Sequence, residues 1–530
     1  MKNIPISIQT FESIIRGGMI YVDKTNFIHQ LVSEGRYYFL ARPRRFGKSL
    51  LLTTLKSYFQ GKKELFEGLF IAEKEKEWKK YPVIHIDYSL VEYRKNRATF
   101  ELSLMSHIKS IARAHGIELT EAVIGNAFTE LIQKLYEKKG KVVVLVDEYD
   151  KPMVDTLTKP ERFAENREIL SQLYGAMKGL DEYFRFVMLT GVSRFSKVNV
   201  FSGMNNLDDI SMSPEYTTVA GFTLEEVKQY FTPHLEAVRQ RFNAPEDYFM
   251  KTVQENYNGF SWDGEQKLYN PFSLFKFLKD KEFGNYWFSS GTPTFLIELI
   301  RKKQFIPEEL EHARATDLEG ATRNIQNLPV IPLLFQTGYL TIQKVEYENF
   351  KRIFHLNYPN EEVRSSFIRY LAAGFVGKEQ HELQPEALDL RDALRGERLE
   401  DFITILQSFL ADIPARLHIP KEAYYHSLVY MMLRLVGVQL LLEKETSKGR
   451  IDAVLEFPDK IYIIEFKFGH ANSRIKNIKT LAKKAIEQIK AQKYADPHLN
   501  SGKRVLLFGV GFLDRELFGK SVELPSTTAS

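Results

Sequence analysis

The chain contains no cysteine. Disulfide bonds, thiolate nucleophiles and zinc sites with cysteine ligands are therefore excluded. The sequence also lacks an uninterrupted apolar stretch of about 18 residues, the length that a membrane-spanning helix needs. Its first residues, MKNIPISIQTFES, do not place an apolar run after a basic segment, as a secretory signal does. These absences predict a cytoplasmic protein that does not associate with a membrane.

Two common catalytic patterns, HExxH and GxSxG, are also absent, and the 12 histidines are scattered along the chain. The composition, 44% hydrophobic and 27% charged, is ordinary for a soluble globular protein. A chain of 530 residues is too long for a single hydrophobic core. We therefore expect two to four domains.

The net charge of +5 is concentrated near the C-terminus. Between Ser447 and Arg504 there are 13 Lys and Arg against 6 Asp and Glu, and the rest of the chain is slightly acidic. A basic region of this kind could bind a polyanion such as a nucleic acid. The alternative interpretation of the charge alone is a solvated helix face.

The first 215 residues alternate short apolar runs with helical patterns, which predicts an α/β fold with a parallel sheet. The run VVVLVD is apolar and β-branched up to its last residue, as expected of a strand buried on both faces. The four predicted strands are Tyr37 to Ala41, Val83 to Asp87, Val142 to Asp147 and Phe184 to Thr190.

The remainder of the chain predicts three further regions. Residues 221–282 are helical, and residues 290–420 are mixed but mostly helical. A third region has a helix (423–436), two or three strands, an amphipathic helix (480–494) and a last strand VLLFGVGF, with a frayed tail after Phe518. The predicted domain boundaries are 1–215, 216–290, 291–415 and 416–520.

The segment YYFLARPRRFGKSLLLTTLKSYF reads as a strand, a loop and a helix. A loop that ends in Gly-Lys-Ser directly before a helix presents backbone N–H groups and the positive end of the helix dipole to phosphates. Gly47 would allow close approach of the backbone. Lys48 would reach the β- and γ-phosphates, and the Ser49 hydroxyl would ligate Mg²⁺. The alternative is a chance Gly-Lys-Ser at a helix start.

The loop departs from the usual phosphate-binding motif at one position, because Arg42 stands where a glycine normally begins it. Pro43 further restricts the turn into the loop. We expect the side chains of Arg42, Arg44 and Arg45 to add positive charge around the phosphates.

Two carboxylates follow the strand VVVLVD, in the sequence VVVLVDEYD. About a hundred residues after a phosphate-binding loop, such a pair predicts that Asp147 holds Mg²⁺ through water and that Glu148 polarises the attacking water. The alternative is a strand that simply ends in polar residues.

The next strand, FRFVMLTGVSRFSK, ends in Thr190, Ser193 and Arg194. These side chains lie where related ATPases place a polar sensor of the γ-phosphate, and Arg194 could act as an arginine finger. The alternative interpretation of Arg194 is a salt-bridge partner.

Several motifs together resemble the bacterial AAA-ATPase-like family over nearly the whole chain: YVDKT, RPRRFGKSLLL, LVDEYDKP, TGVSRFSKVNVFSGMNNLDDIS and YNGF with YNPFSL. An arginine in place of the first loop glycine is usual in that family. The resemblance implies bound ATP and Mg²⁺, and often a C-terminal nuclease-like domain. It also implies that residues 257–260 and 270–271 lie in a small, lid-like helical segment.

In the C-terminal region, KGRIDAVLEFPDKIYIIEFKF predicts two strands joined by a Pro-Asp-Lys turn. Asp452 lies on the first strand, and Glu465 and Lys467, two residues apart on the second, share a face while Phe466 points to the other. The two carboxylates could bind one or two Mg²⁺ ions, and the lysine could orient a metal-bound water beside a phosphate.

This pattern resembles the PD-(D/E)XK nuclease superfamily and predicts an α/β, restriction-endonuclease-like domain. The resemblance implies that Asp452, Glu465 and Lys467 are catalytic, and that Glu422, one turn from His426 on the preceding helix, joins the metal site. Gln488 would orient water and phosphate. Tyr494 follows Gln488 at a longer spacing than the superfamily's usual motif.

The leading hypothesis is an ATPase whose nucleotide controls a Mg²⁺-dependent nuclease-like domain on nucleic acid, with DNA favoured. Two alternatives remain open. One is a nucleotide-switched module that binds nucleic acid or protein through a catalytically silent nuclease fold. The other is an ATPase that self-associates into homo-oligomers on ATP in response to a signal.

Overall fold

The computed structural model describes residues 1–194, 206–288, 296, 299–300, 307–320, 329–413, 422–436, 439–446, 449–469, 477–499, 501–513 and 516–524. The chain divides into two compact units. The first unit contains Met1–Phe295 and Leu310–Arg364, and the second contains Leu296–Glu309 and Ser365–Ser530. In the described ranges, no helix has the length and apolar character needed to cross a bilayer.

The first unit is built on a five-stranded parallel sheet with the strand order β2-β3-β4-β1-β5. Its strands are β1 (Tyr37–Ala41), β2 (Val83–Asp87), β3 (Val142–Asp147), β4 (Phe184–Gly191) and β5 (Asp208–Asp209). The four strands predicted from the sequence are confirmed, and β4 extends one residue further. Every residue of β1 and β3 is buried, as expected of central strands covered on both faces.

Helices flank this sheet and separate consecutive strands, which is why the strands are parallel. They are α1 (Phe11–Arg16), α2 (Thr25–Glu34), α3 (Lys48–Phe59), α4 (Phe70–Lys74), α5 (Arg97–Ala114), α6 (Ile124–Lys139), α7 (Lys151–Val154) and α8 (Pro160–Met177). Because all carboxyl ends of parallel strands lie at one edge, the residues after β1, β3 and β4 are brought together there.

A helical segment follows the sheet, as expected for the lid-like region. It contains α9 (Leu224–Phe242), α10 (Glu246–Tyr257) and α11 (Pro271–Asp280). Thr223 and Glu226 form a capping box at the start of α9. Asn270 caps α11 by accepting hydrogen bonds from the backbone N–H groups of Phe272 and Ser273, at 3.0 and 3.1 Å.

The predominantly helical middle region also holds a small antiparallel sheet, which the sequence did not reveal. Its strands are β6 (Ala313–Ala315), β7 (Thr341–Glu348) and β8 (Lys351–Asn357), in the order β6-β8-β7. Among the helices described in this region are α12 (Val330–Thr337), α13 (Glu361–Val376), α14 (Gln380–Arg395) and α15 (Leu399–Ala411).

The second unit contains a mixed five-stranded sheet with the order β13-β12-β11-β10-β9. Its strands are β9 (Gln439–Thr446), β10 (Gly449–Glu456), β11 (Lys460–Gly469), β12 (Arg504–Leu513) and β13 (Glu516–Glu523), and its helices include α16 (Glu422–Leu435) and α17 (Ile478–Ala491). The predicted β10–β11 hairpin is confirmed. The predicted frayed tail after Phe518 is wrong for residues 519–523, because β13 pairs with β12 along its whole length; residues 525–530 lie outside the described residues.

Candidate functional site

The loop between β1 and α3 has the backbone that its sequence predicts. Gly47 is held at a φ of 94°, in the left-handed region that favours glycine, and α3 begins at the next residue, Lys48. A twelve-residue helix therefore directs its N-terminal N–H groups toward the end of β1. The geometry is that of an anion-binding helix start.

The Lys48 ammonium group is buried inside this loop. Its Nζ donates hydrogen bonds to the carbonyl oxygens of Arg42 and Pro43, each at 2.9 Å. Burial lowers the pKa of Lys48, while the nearby carboxylates of Asp147 and Glu148 act in the opposite direction. The positive charge of Lys48 therefore lies among loop carbonyl groups and near carboxylates. An incoming anion could replace the two carbonyl oxygens as the acceptor of the hydrogen bonds from Lys48.

The two carboxylates after β3 differ in their surroundings. Asp147 is buried, and its Oδ1 accepts hydrogen bonds from Thr190 Oγ1 at 2.7 Å and from the Glu148 N–H at 3.0 Å. Glu148 has a φ of 52°, unusual for a residue with a side chain, and its carboxylate forms a short ion pair with Lys151. Asp147 is thus fixed in place, whereas Glu148 lies at the protein surface of the same edge.

The structure corrects the expectation for Arg42, whose guanidinium does not contribute to a phosphate field. Arg42 is 1% exposed and donates to the carbonyl oxygens of Ser211 at 2.5 Å and Tyr216 at 3.2 Å. Its guanidinium also stacks 4.0 Å from the ring centre of Trp262. Burial lowers the pKa of Arg42 to about 9. This arginine braces the loop from behind.

A cavity of about 540 Å³ lies against the loop. It brings together six predicted residues, Arg44, Arg45, Gly47, Lys48, Ser49 and Glu148. The same cavity has an apolar lining formed by Ile8, Ile14, Ile20, Val22, Val219, Phe222 and Phe275. Cationic and hydroxyl groups for phosphate, together with apolar side chains for a base, are the combination that a nucleotide requires.

Arg194 is among the described residues but does not line this cavity. Its guanidinium is paired with Asp209 at 2.9 Å and with Glu319 at 2.8 Å, and its side chain is 9% exposed. The geometry therefore favours the salt-bridge interpretation of Arg194. A role on phosphate would require both carboxylates to be released.

In the second unit, the β10–β11 hairpin brings the predicted carboxylates and the lysine together. Asp452 Oδ2 accepts a hydrogen bond from the Phe466 N–H at 2.8 Å, and Lys467 Nζ lies 3.1 Å from Glu465 Oε1. The amide of Gln488 on α17 donates a short hydrogen bond to the same Glu465 oxygen. Four of the predicted residues thus form one cluster.

Glu465 is the most buried member of this cluster, at 2% exposed. Burial, followed by the negative charge of Asp452, raises its pKa to about 7, although Lys467 acts in the opposite direction. Carboxylates whose pKa lies near neutral pH are found preferentially at functional sites. Tyr494 also belongs to the cluster, since burial and then the charges of Glu465 and Asp452 raise its pKa. The side chains of Glu422 and His426 lie outside the described residues.

Comparisons with known proteins agree with this division. The sequence family described as "Predicted AAA-ATPase" matches residues 5–201. The family described as "PD-(D/E)XK nuclease superfamily" matches residues 420–521. A protein of Azotobacter chroococcum mcd 1, named "Uncharacterized protein in vnfD 5'region", is 37% identical over 518 residues, which are 96% of each chain.

The chain belongs to the bacterial AAA-ATPase-like family that carries a C-terminal PD-(D/E)XK nuclease-superfamily domain. Its architecture is accordingly an ATPase-like unit joined to a nuclease-like one. In this AAA-ATPase-like chain, the loop between β1 and α3 falls within the first family match, and Asp452, Glu465, Lys467 and Gln488 fall within the second.

The sequence interpretation missed Asp150, a further residue of the AAA-ATPase-like unit that shapes its site. This carboxylate is 2% exposed and accepts hydrogen bonds from the Ser193 N–H and Oγ, both at 2.6 Å, and from the Val192 N–H at 3.2 Å. Burial raises the pKa of Asp150, and these hydrogen bonds act against that rise. Asp150 therefore ties the end of β3 to the loop after β4. The sequence signal for it was the third acid of VVVLVDEYD.

Proposed function

We propose that the first unit binds and hydrolyses ATP with Mg²⁺. The observation that supports this most strongly is the single cavity shared by Lys48, Ser49 and Glu148 beside the buried carboxylate of Asp147. In this proposal, Lys48 Nζ exchanges the carbonyl oxygens of Arg42 and Pro43 for phosphate oxygens. The apolar part of the lining packs against the base.

The donor set in the first unit fits Mg²⁺, which prefers hard oxygen ligands. Ser49 and Asp147 supply a hydroxyl and a carboxylate, and Thr190 orients the carboxylate through its hydrogen bond at 2.7 Å. When bound, the ion neutralises charge on the phosphates. Glu148 would accept a proton from the attacking water after its ion pair with Lys151 is released.

We further propose that the second unit is a Mg²⁺-dependent nuclease, with DNA as the favoured substrate. The adjacency of Asp452, Glu465 and Lys467 supports it, because two carboxylates and a cation then meet at one point. The carboxylates fit a divalent ion, Lys467 would bind the scissile phosphate or its water, and Gln488 would hold Glu465 in place. In this proposal the protein acts in the cytoplasm and uses its nucleotide state to control cleavage.

One observation favours a second candidate function, a nucleotide-switched binding module without cleavage. Among the described residues, no group of three or more histidine, aspartate or glutamate side chains could hold a metal ion. Within the described residues, the nuclease-like cluster offers two carboxylates, and burial raises the pKa of one of them, Glu465, to about 7. If the second unit binds metal only weakly, it would bind nucleic acid without cleaving it.

The ATPase is tested by equilibrium binding of a fluorescent ATP analogue and by phosphate release, in the wild type and in two lysine variants. Lys48→Ala should weaken binding and abolish hydrolysis. Lys56→Ala, on the same helix but outside the lining of the cavity, is the matched control. Equal binding and hydrolysis in the wild type and Lys48→Ala would exclude the proposed site.

The nuclease is tested by incubating plasmid and single-stranded DNA with the full chain in Mg²⁺ or Mn²⁺. Cleavage should disappear in Glu465→Ala and persist in Glu487→Ala, a matched control whose exposed carboxylate lies next to Gln488 on α17. If the wild type binds DNA but leaves both substrates intact, the binding module becomes the better account.

A further inference from the structure

The hairpin of β7 and β8 ends in a turn that its sequence does not favour. The two turn residues, Asn349 and Phe350, both have positive φ angles, 50° and 63°. Two such residues between paired strands form a type I′ turn, which favours Asn followed by Gly. Asn349 fits this rule. A phenylalanine at the second position adopts the left-handed region at an energetic cost.

Among the described residues, no packing contact of the Phe350 side chain offsets that cost. Phe350 is fully exposed, and Tyr347, three residues earlier, is 73% exposed. A glycine at position 350 would suit the turn better, and a polar residue at 347 would suit the solvent better. Residues that are unfavourable for the local backbone and for solvent exposure in this way are expected at functional sites.

The pairing of the strands sorts the side chains of the hairpin into two faces. Tyr347 lies directly opposite Arg352, and Val345 lies opposite the buried Phe354. Because residues two apart share a face, these four side chains form one face, with Arg352 stacked 5.4 Å from the Phe354 ring. This aromatic face reaches the tip at Phe350.

The carboxylates of the hairpin all lie on the opposite face. On that face the Glu346 carboxylate lies 2.6 Å from Lys344 Nζ and 2.8 Å from His355 Nε2, and Glu348 lies opposite Lys351. The aromatic face near the tip therefore carries a guanidinium and no carboxylate. Its chemistry is complementary to a partner that offers flat rings and negative charge.

The helix before the hairpin is not available for such a partner. The order β6, α12, β7, β8, with β6 pairing β8, resembles a winged helix-turn-helix module, in which the helix before the hairpin enters a DNA groove. Here α12 has no exposed residue. Gln336 of α12 bonds the Arg194 N–H at 2.7 Å and the Leu318 carbonyl at 2.8 Å. The hairpin, unlike α12, presents its side chains to solvent.

We propose that the tip of this hairpin, formed by Tyr347, Phe350 and Arg352, binds single-stranded or unpaired nucleic acid by stacking on its bases. Aromatic rings and guanidinium planes stack on bases with little sequence preference. Arg352 can also contact a phosphate. The partner class follows from the proposed action on nucleic acid, but binding at this tip does not depend on cleavage.

The test measures the affinity of the full chain for fluorescein-labelled single-stranded DNA, in a Glu465→Ala background so that the probe remains intact. Phe350→Gly should weaken binding about tenfold, as expected for loss of one stacked base. Its melting temperature should rise by a few degrees, because glycine relieves the turn. Tyr248→Ala removes a similarly exposed aromatic residue on α10 and should leave the affinity unchanged.

Two further readouts separate stacking from general electrostatics. Arg352→Gln should lower the slope of log affinity against log salt by about 0.7, whereas Phe350→Gly should leave it unchanged. Irradiation with DNA that contains 5-iodouracil should cross-link the peptide of Tyr347 and Phe350. Wild-type affinity in Phe350→Gly, or cross-links confined to other peptides, overturns the proposal. If the wild-type protein leaves DNA intact in Mg²⁺ and Mn²⁺ while the hairpin cross-link is retained, the nuclease is refuted and the hairpin site stands.

Discussion

The raised pKa of Glu465 makes a quantitative prediction about stability. Its pKa is about 7 in the folded protein and 4.5 in its ordinary state. The folded state therefore favours the protonated carboxyl, and ionisation opposes folding. This destabilisation is absent below pH 4.5, grows between pH 4.5 and 7, and is complete above pH 7. The difference corresponds to about 3 kcal/mol.

Glu465→Gln removes that ionisation while it keeps the shape of the side chain. The attraction of Lys467 for the ionised carboxylate is already contained in the folded pKa of Glu465, so it is not subtracted again. We therefore expect the variant to raise the free energy of unfolding of the second unit by about 3 kcal/mol at pH 8. At pH 4.5 the two proteins should be nearly equal.

Urea unfolding followed by circular dichroism measures this change. All three tryptophans, Trp78, Trp262 and Trp287, lie in the first unit, so the transition seen by their fluorescence should not move and is an internal control. Mg²⁺ at pH 8 should stabilise the wild type and not the variant, because the ion binds the ionised carboxylate. A variant that is less stable than the wild type at both pH values would refute the reasoning.

Three other perturbations test the first unit and the hairpin. Thr190→Val removes the hydroxyl that donates to Asp147 at 2.7 Å, and it should lower phosphate release while the affinity for a fluorescent ATP analogue stays within about threefold. Arg42→Met should lower the free energy of unfolding of the first unit by about 3 kcal/mol in tryptophan-monitored urea unfolding, because buried carbonyls lose their donor. In the same assay Arg45→Met should change it by less than about 0.5 kcal/mol, and equal losses would contradict the bracing role of Arg42. Phe350→Gly should raise the melting temperature in calorimetry by a few degrees, and a clear decrease would contradict the inferred strain.

The sheet of the first unit was predictable because its strands are buried on both faces. An apolar, β-branched run such as VVVLVD has few alternatives, and the Gly-Lys-Ser step fixes where the next helix begins. Similarly, the two-residue spacing of Glu465 and Lys467 places both side chains on one face of any strand. With the predicted hairpin, these local rules bring Asp452, Glu465 and Lys467 together, whereas the role of Gln488 was implied only by the family resemblance.

The features that the sequence did not reveal depend on tertiary contacts. The β7–β8 hairpin was missed because its turn, Asn349-Phe350, lacks the glycine that usually marks a type I′ turn. The last strand, β13, has a weak apolar pattern and forms because β12 offers it a paired edge. The bracing role of Arg42 depends on carbonyl groups about 170 residues away in the chain.

Control of DNA cleavage by the bound nucleotide is the central claim, and one assay tests it most directly. Cleavage of labelled DNA in Mg²⁺ is measured with and without ATP for the wild type, Lys48→Ala and Glu148→Gln. We predict that ATP changes the rate of DNA cleavage by the wild type and does not change the rate of cleavage by Lys48→Ala. Glu148→Gln should keep the cleavage rate of the ATP-bound state, because it binds ATP without hydrolysing it. Cleavage that is the same in all three proteins, with and without ATP, would contradict the account.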